Sequence, residues 1–226
     1  MEKLRIFVCG HDERLKMIPN RPFITHINLN HLEIGIYQNN QFSESRLFFS
    51  DLVKEPVEYI GFASASWRIK WNHILPVHQL DQLELKPNRL WCPSLEDLSA
   101  NETWIMKCNY FWPELLPYIF EMAKVSGLST DFRQAPISNN FIVHWDVWNF
   151  FISEWMKLFN WLYKNHPPEK VIKELKMENV DESRLYGYIL ERISMLILSN
   201  LPNFFTNYEF CLIPKPKNKK LPLRLI

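Results

Sequence analysis

The chain of 226 residues has no excess of charge of either sign: 26 basic residues stand against 25 acidic ones, a net +1. No global field would draw in nucleic acid or a highly charged partner, so no nucleic-acid contact is expected. The four cysteines, Cys9, Cys92, Cys108 and Cys211, include no CxxC pair. Neither a zinc site nor a dithiol redox site is therefore indicated. Cys9 and Cys211 sit in strand-like runs, where a thiol serves as a small buried apolar group. That usage fits a reducing compartment, and the expected location is cytoplasmic. No apolar run approaches the roughly 20 residues needed to cross a bilayer. The opening "MEKLRIFVCGHDERL" has too short an apolar run for a signal peptide or a span, and it reads as a first strand. Internal repeats are absent.

Familiar catalytic signatures are missing too. There is no GxGxxG, Walker loop, GxSxG or HExxH. The seven histidines are scattered, and none pairs with a cysteine or another histidine at ligand spacing. What the chain does have is apolar and aromatic mass. Hydrophobic residues make up 47%, enough for a substantial core, and aromatics 15%, with nine tryptophans. Such rings build cores, and they also serve sugar-binding surfaces and interfaces.

The pattern along the chain alternates. Lys3 to Cys9 reads as a strand that ends in a loop at Gly10, His11 and Asp12. "NNQFSESRLFFSDLV" reads as a helix capped by Asn40 or Ser43, with Leu47, Phe48, Leu52 and Val53 on its apolar face. The N–H groups at its start would suit a phosphate, or simply be capped. A strand follows over Val57 to Ala63, so the order is strand, helix, strand. Pro113 to Gly127 reads as a helix with proline in its first turn and glycine at its end. After an extended stretch at Ser138 to Val143, a long helix starts near Trp145. Its stripe of Trp145, Trp148, Ile152, Trp155, Phe159 and Leu162 is a core face. Helices are expected over Glu169 to Met177 and Glu182 to Leu201, and a last strand over Tyr208 to Ile213. The tail at 214–226 is basic and proline-rich and reads as an extended surface segment. Its lysines are compatible with peripheral contact at an anionic membrane surface.

Five stretches in this order, "FVCGHD", "NQFSESRLFFSDL", "EYIGFASASW", "SNNFIVHWDVWNFF" and "YGYILERISMLIL", carry a resemblance. The series resembles small bacterial and viral polysaccharide-synthesis glycosyltransferase-like proteins of the A-type fold, over most of residues 3 to 213. The resemblance implies an α/β fold with a central, mostly parallel, Rossmann-like sheet and a helix-rich C-terminal half. It implies one such domain over 1–213, followed by the tail. The implied activity is transfer of a sugar from a nucleotide-sugar donor to a glycan or lipid-linked acceptor. The alternative is a non-catalytic module of the same fold that binds a nucleotide, a glycan or a protein.

Site residues follow from the same resemblance. Cys9, Gly10 and His11 match the loop that contacts the nucleotide base. Ser43, Glu44 and Arg46 match the "SESR" segment, with Arg46 as the phosphate or nucleotide contact; its other reading is a surface salt bridge. Ser64, Ala65 and Ser66 stand where the family carries a DxD pair for a divalent Mg or Mn ion, and the chain has no DxD at all. Two hydroxyls do not replace two carboxylates as hard anionic ligands, so no metal ligand is assigned. Either transfer is metal-independent or activity is lost. Arg68 and Lys70 would hold a diphosphate, and Trp67 or Trp71 would stack on a sugar or base; the basic pair also reads as solvated loop charge. Asn139 and Asn140, with His144, match a sugar or acceptor pocket, since amide side chains both donate and accept. A metal-free transfer needs a general base. The candidates are Asp12, Asp131, His144, Asp146 and Glu191, and Asp146 and Glu191 are the catalytic assignments.

Overall fold

The computed structural model describes residues 2–16, 18, 20–32, 40–65, 83–93, 95–97, 104–111, 113–132, 134–136, 139–175 and 185–213. The N-terminal part forms strand β1 (Leu4–Gly10), a single turn α1 (Asp12–Leu15), and strands β2 (Ile24–Asn28) and β3 (Tyr59–Ser64). The middle supplies β4 (Arg89–Cys92), β5 (Leu95–Asp97), helices α2 (Trp104–Phe111) and α3 (Leu116–Ser126), and β6 (Gln134–Pro136). Strand β7 (Phe141–His144) then runs straight into α4 (Trp145–Asn165). Helices α5 (Pro168–Glu174), α6 (Leu185–Ser199) and α7 (Leu201–Phe204) precede the last strand, β8 (Glu209–Leu212).

Six strands form one sheet in the order β2-β1-β3-β7-β4-β8, and β5 pairs with β6 separately. Every strand of the large sheet is parallel except β7, which runs against both β3 and β4. The expected mostly parallel α/β sheet with a helix-rich C-terminal half is thus present. Its central strands are apolar on both faces, as layers on both sides require. Ile6, Val8, Tyr59, Ala63 and Ile142 point to one side and pack with Leu15, Ile18 and Ile213. Phe7, Cys9, Ile60, Phe62, Phe141 and Val143 point to the other and meet the helices. Gly61 sits in register between Ile6 and Ile142. A Cβ there would come within 2.9 Å of Ile142 Cγ1 and 3.1 Å of Ile6 Cγ1, so only a glycine lets the two isoleucines close over β3.

The helix expected over residues 40 to 53 is instead two stretches of 3-10 helix, Asn40–Phe49 and Asp51–Lys54. Ser50 separates them. Its backbone is extended and its hydroxyl accepts the Leu52 N–H at 3.2 Å, a local bond that competes with continued helix. The tighter winding keeps Leu47, Phe48 and Val53 inside and turns Leu52 outward, at 39% exposure. The expected face was therefore right at three positions and wrong at Leu52.

Phe48 then becomes a hub. Its ring lies 5.4 Å from Phe62 of β3, and 5.6, 5.6 and 5.1 Å from Trp148, Phe151 and Trp155 of α4. All four contacts are edge-on, the favoured aromatic geometry. The α4 stripe is core, with Trp148, Trp155, Phe159 and Leu162 buried. Both buried indoles find acceptors: Trp148 Nε1 donates to Val53 O at 3.0 Å, and Trp155 Nε1 to Ser194 Oγ of α6 at 3.1 Å.

Replacing Phe48 with alanine is expected to cost about 3–5 kcal/mol of folding stability, the usual loss for a buried ring. Urea unfolding of Phe48→Ala measures it. A loss within the surface-substitution range of about 0.5 kcal/mol would remove this ring from the centre of the fold.

Candidate functional site

Because β1, β2 and β3 are parallel, their C-terminal ends, Gly10, Asn28 and Ser64, share one edge of the sheet. Antiparallel β7 brings its own start, preceded by Asn139 and Asn140, to that same edge. Pairing between β3 and β7 stops at Phe62 and Phe141. Beyond it, the Ser64 N–H donates to Asn140 Oδ1 at 2.7 Å. A side-chain amide thus completes the ladder where the strand direction changes. Open α/β sheets bind ligands at such discontinuities, outside the carboxyl ends of their strands.

The polar groups here are unusually deep. Ser45, Ser64, Asn139 and Asn140 are all buried, Asn140 to 1% exposure. Asn139 Nδ2 donates to Ser45 Oγ at 3.3 Å, tying the 3-10 segment to the start of β7. Among the described residues, Asn139 Oδ1 and Asn140 Nδ2 have no hydrogen-bond partner. Each such buried group costs about 1–3 kcal/mol when unsatisfied, so one bare acceptor and one bare donor lie buried at this edge.

The loops leaving β1 and β2 are tied together at this edge. Ala65 N–H donates to Cys9 O at 2.7 Å, and Leu29 N–H to Gly10 O at 2.9 Å. The chain after β3 passes so close that a Cβ on Gly10 would lie 2.6 Å from the Ala65 Cβ. His11 is exposed, and its Nδ1 lies 3.0 Å from Asn30 Oδ1. Asn30 is itself held, its N–H donating to Asn28 Oδ1 at 3.0 Å.

Beneath the edge, Arg46 is buried at 4% exposure. Burial pushes its guanidinium below the ordinary value, and the nearby Cys9 pulls the other way. Burial, with help from Glu44, holds the Cys9 thiol well above its usual range, against the pull of Arg46. Cys9 is therefore a packed, protonated core thiol on the helical side. Ser43 lies on the same 3-10 segment as Arg46.

Other candidates are not brought to this edge. His144 pairs with Tyr59, at the opposite end of β3 from Ser64. Five residue steps separate the two ends, about 17 Å. His144 is the N-cap of α4: its Nδ1 accepts the Asp146 N–H at 3.3 Å, and Asp146 is the acidic residue of the first turn, where a helix favours negative charge. Both therefore serve the start of α4, away from Ser64 and Asn140. Glu191 lies on α6, with an oxygen 3.7 Å from Arg192 Nη1. Asp131 sits in the exposed loop after α3, where its N–H bonds Ser129 Oγ. Ser66, Trp67, Arg68, Lys70 and Trp71 lie outside the described residues.

Sequence reasoning missed Asn28, Asn30 and Ser45. "INLNH" does place two asparagines just past an alternating run, which is a turn signal. The prolines and glycine nearby hid the strand before it. As for a divalent ion, no group of three or more His, Cys, Asp or Glu among the described residues converges to hold one. The described edge offers amides, hydroxyls and an imidazole, which do not fit a hard cation that wants carboxylates.

Two outcomes are expected. Asn140→Ala leaves the Ser64 N–H buried without its acceptor and should cost about 1–3 kcal/mol, read by denaturant unfolding. An unchanged midpoint would mean that water takes over the bond. The Cys9 thiol should resist alkylation in the native protein at pH 8 and react once urea unfolds the chain. Unfolded thiols ionise near pH 8.5 and the folded Cys9 does not, so its contribution to stability falls as pH rises beyond that point; native labelling of Cys9 would refute its burial.

No known protein family matches the chain, and no curated protein matches it either. Among solved structures it is similar to WbbM, a bifunctional glycosyltransferase determined in its apo form. The TM-score is 0.51 at 11% identity, over 93% of this chain and 44% of the WbbM chain. The present chain thus spans less than half the length of that protein. At such identity the likeness is one of fold, an α/β fold around a central, mostly parallel sheet.

Proposed function

We propose that the chain is a glycosyltransferase that moves a sugar from a nucleotide-sugar donor to a glycan or lipid-linked acceptor. The observation that carries this reading is the cluster of buried polar side chains between β3 and β7. There the ends of three parallel strands and the Asn139–Asn140 pair meet at the sheet's change of direction. The likeness in fold to WbbM supports it. In this reading the nucleotide lies over Gly10, at the end of β1. The sugar reaches the bare acceptor of Asn139 and the bare donor of Asn140, since a hydroxyl satisfies both. Arg68, which follows β3 in the sequence, is the cation for the diphosphate, Ser64, Ser66 and Trp67 are its partners in the same stretch of chain, and Arg46 adds to the positive charge. The sequence has no DxD pair to hold a metal ion.

A second reading has a specific feature in its favour. Asp146, one of the two carboxylates assigned to catalysis, sits in the first turn of α4 at the far edge. A module that binds the same ligand without turning it over needs no base.

Thermal melts against UDP, GDP, dTDP and CMP, each with Mn²⁺ and with EDTA, test the reading. A ligand at 100 times its Kd raises stability by about 2.7 kcal/mol, which is readily seen. One nucleotide is expected to shift the melt in EDTA as well as in Mn²⁺, and Arg68→Ala to weaken the shift. A shift that needs Mn²⁺ would point to acidic ligands in the chain. No shift with any nucleotide would sink the transferase. A shift without turnover of the matching nucleotide-sugar would favour the binding module.

A further inference from the structure

We propose that His11 is the proton acceptor in this transfer and that Asn30 positions it. The inference rests on the transferase reading, and it assigns to His11 a role beyond nucleotide contact. His11 is the first residue after β1, exposed, at the edge where Gly10, Ser64 and Asn140 converge. Its Nδ1 lies 3.0 Å from Asn30 Oδ1. With Asn30 presenting its oxygen, which only accepts, the tautomer assigned to His11 has the hydrogen on Nδ1 and the lone pair on Nε2. An isolated histidine side chain prefers the opposite tautomer, with the hydrogen on Nε2. The protein thus holds the form that a base requires, as an orienting partner does for the histidine of hydrolytic triads.

Asn30 is fixed in turn. Its N–H is bound by Asn28 Oδ1 at 3.0 Å, the Leu29 N–H by Gly10 O at 2.9 Å, and the His31 N–H by Asn28 O at 3.1 Å. The turn after β2 is therefore clamped to the end of β1, and the imidazole with it. Among the candidate bases, Asp12 shares this edge as the first residue of α1, but the bond to Asn30 singles out His11; the rest stand elsewhere. His144 and Asp146 occupy the opposite edge, Asp131 an exposed loop, and Glu191 a helix beside Arg192. Glu44 acts on the buried Cys9, on the helical side of the sheet.

The step is a single displacement. The acceptor hydroxyl gives its proton to His11 Nε2 while its oxygen bonds to the anomeric carbon of the donor sugar. The bond from that carbon to the phosphate oxygen breaks, and its electron pair leaves with the nucleotide. Asn30 Oδ1 stabilises the imidazolium through the Nδ1–H, and the imidazolium then returns its proton to water.

Two measurements test this. In the first, two-bond proton–nitrogen spectra of protein labelled with ¹⁵N-histidine report the tautomer without any ligand. His11 is expected as Nδ1–H in the wild type and chiefly as Nε2–H in Asn30→Ala. An Nε2–H tautomer in the wild type overturns the proposal. In the second, UDP-, GDP-, dTDP- and CMP-sugars are offered with water as the acceptor, and nucleotide release is followed. His11→Ala is expected to lower kcat by about 10²–10⁴-fold while the melting shift with the free nucleotide persists; Asn30→Ala should lower kcat less and leave KM unchanged. Loss of the shift with kcat retained makes His11 a nucleotide contact only and overturns the role. No shift and no release with any donor overturns the transferase reading and the catalytic role with it, whereas the spectra still decide whether Asn30 sets the ring.

Discussion

The packing of Phe48 is the contact on which the site depends. One ring touches β3 through Phe62 and α4 through Trp148, Phe151 and Trp155. It thereby seats the 3-10 segment between the sheet and the long helix. Two polar residues of that segment, Ser45 and Arg46, lie close before Phe48 in the chain, and both are buried. A hydroxyl and a guanidinium do not enter a core on their own account, because desolvation opposes them. They are carried there by the aromatic packing next to them, and Ser45 then meets Asn139 at the sheet edge. Hydrophobic packing is what delivers the polar groups to that edge.

The polar cluster itself comes from strand direction. A parallel strand in the place of β7 would carry its own backbone past Ser64. The antiparallel β7 stops pairing at Phe141, and the amide of Asn140 takes over the bond to the Ser64 N–H. The direction change thus opens a gap in the ladder and lines it with side chains that can both donate and accept. Close backbone approach does the rest: Gly10 admits Ala65, and Gly61 lets Ile6 and Ile142 close over β3. These contacts hold the ends of β1 and β3 in fixed relation, which any ligand spanning them would need.

Much of the fold was legible in the residues. The apolar runs of β1 and β3, the α4 stripe and the αL glycine at the end of α3 each read correctly, since periodicity and turn chemistry are local properties. The 3-10 segment misled, because an apolar pattern at 47, 48, 52 and 53 fits an α-helix as well, and the competing Ser50 bond shows only in three dimensions. The site was legible in part. Gly10, His11, Ser64, Asn139 and Asn140 do share an edge. Yet the asparagines of "INLNH" signalled only a turn, and the bonds of Asn30 to His11 and of Ser45 to Asn139 gave no signal, because they join segments apart in the chain.

His144 and Asp146 mark the boundary between the two kinds of information. Only a few residues separate them from Asn140, and proximity in the chain suggested one pocket. An extended strand lies between, and it moves the chain by about 3.3 Å per residue, enough to carry His144 to the far edge. The sequence by itself determined that an apolar sheet would form, that α4 would bury a tryptophan face, and that no paired carboxylates would follow β3, because these depend on residue type and local spacing. Only the tertiary structure decided which polar residues meet, because strand direction, the 3-10 winding and the packing of Phe48 act between segments far apart in the chain.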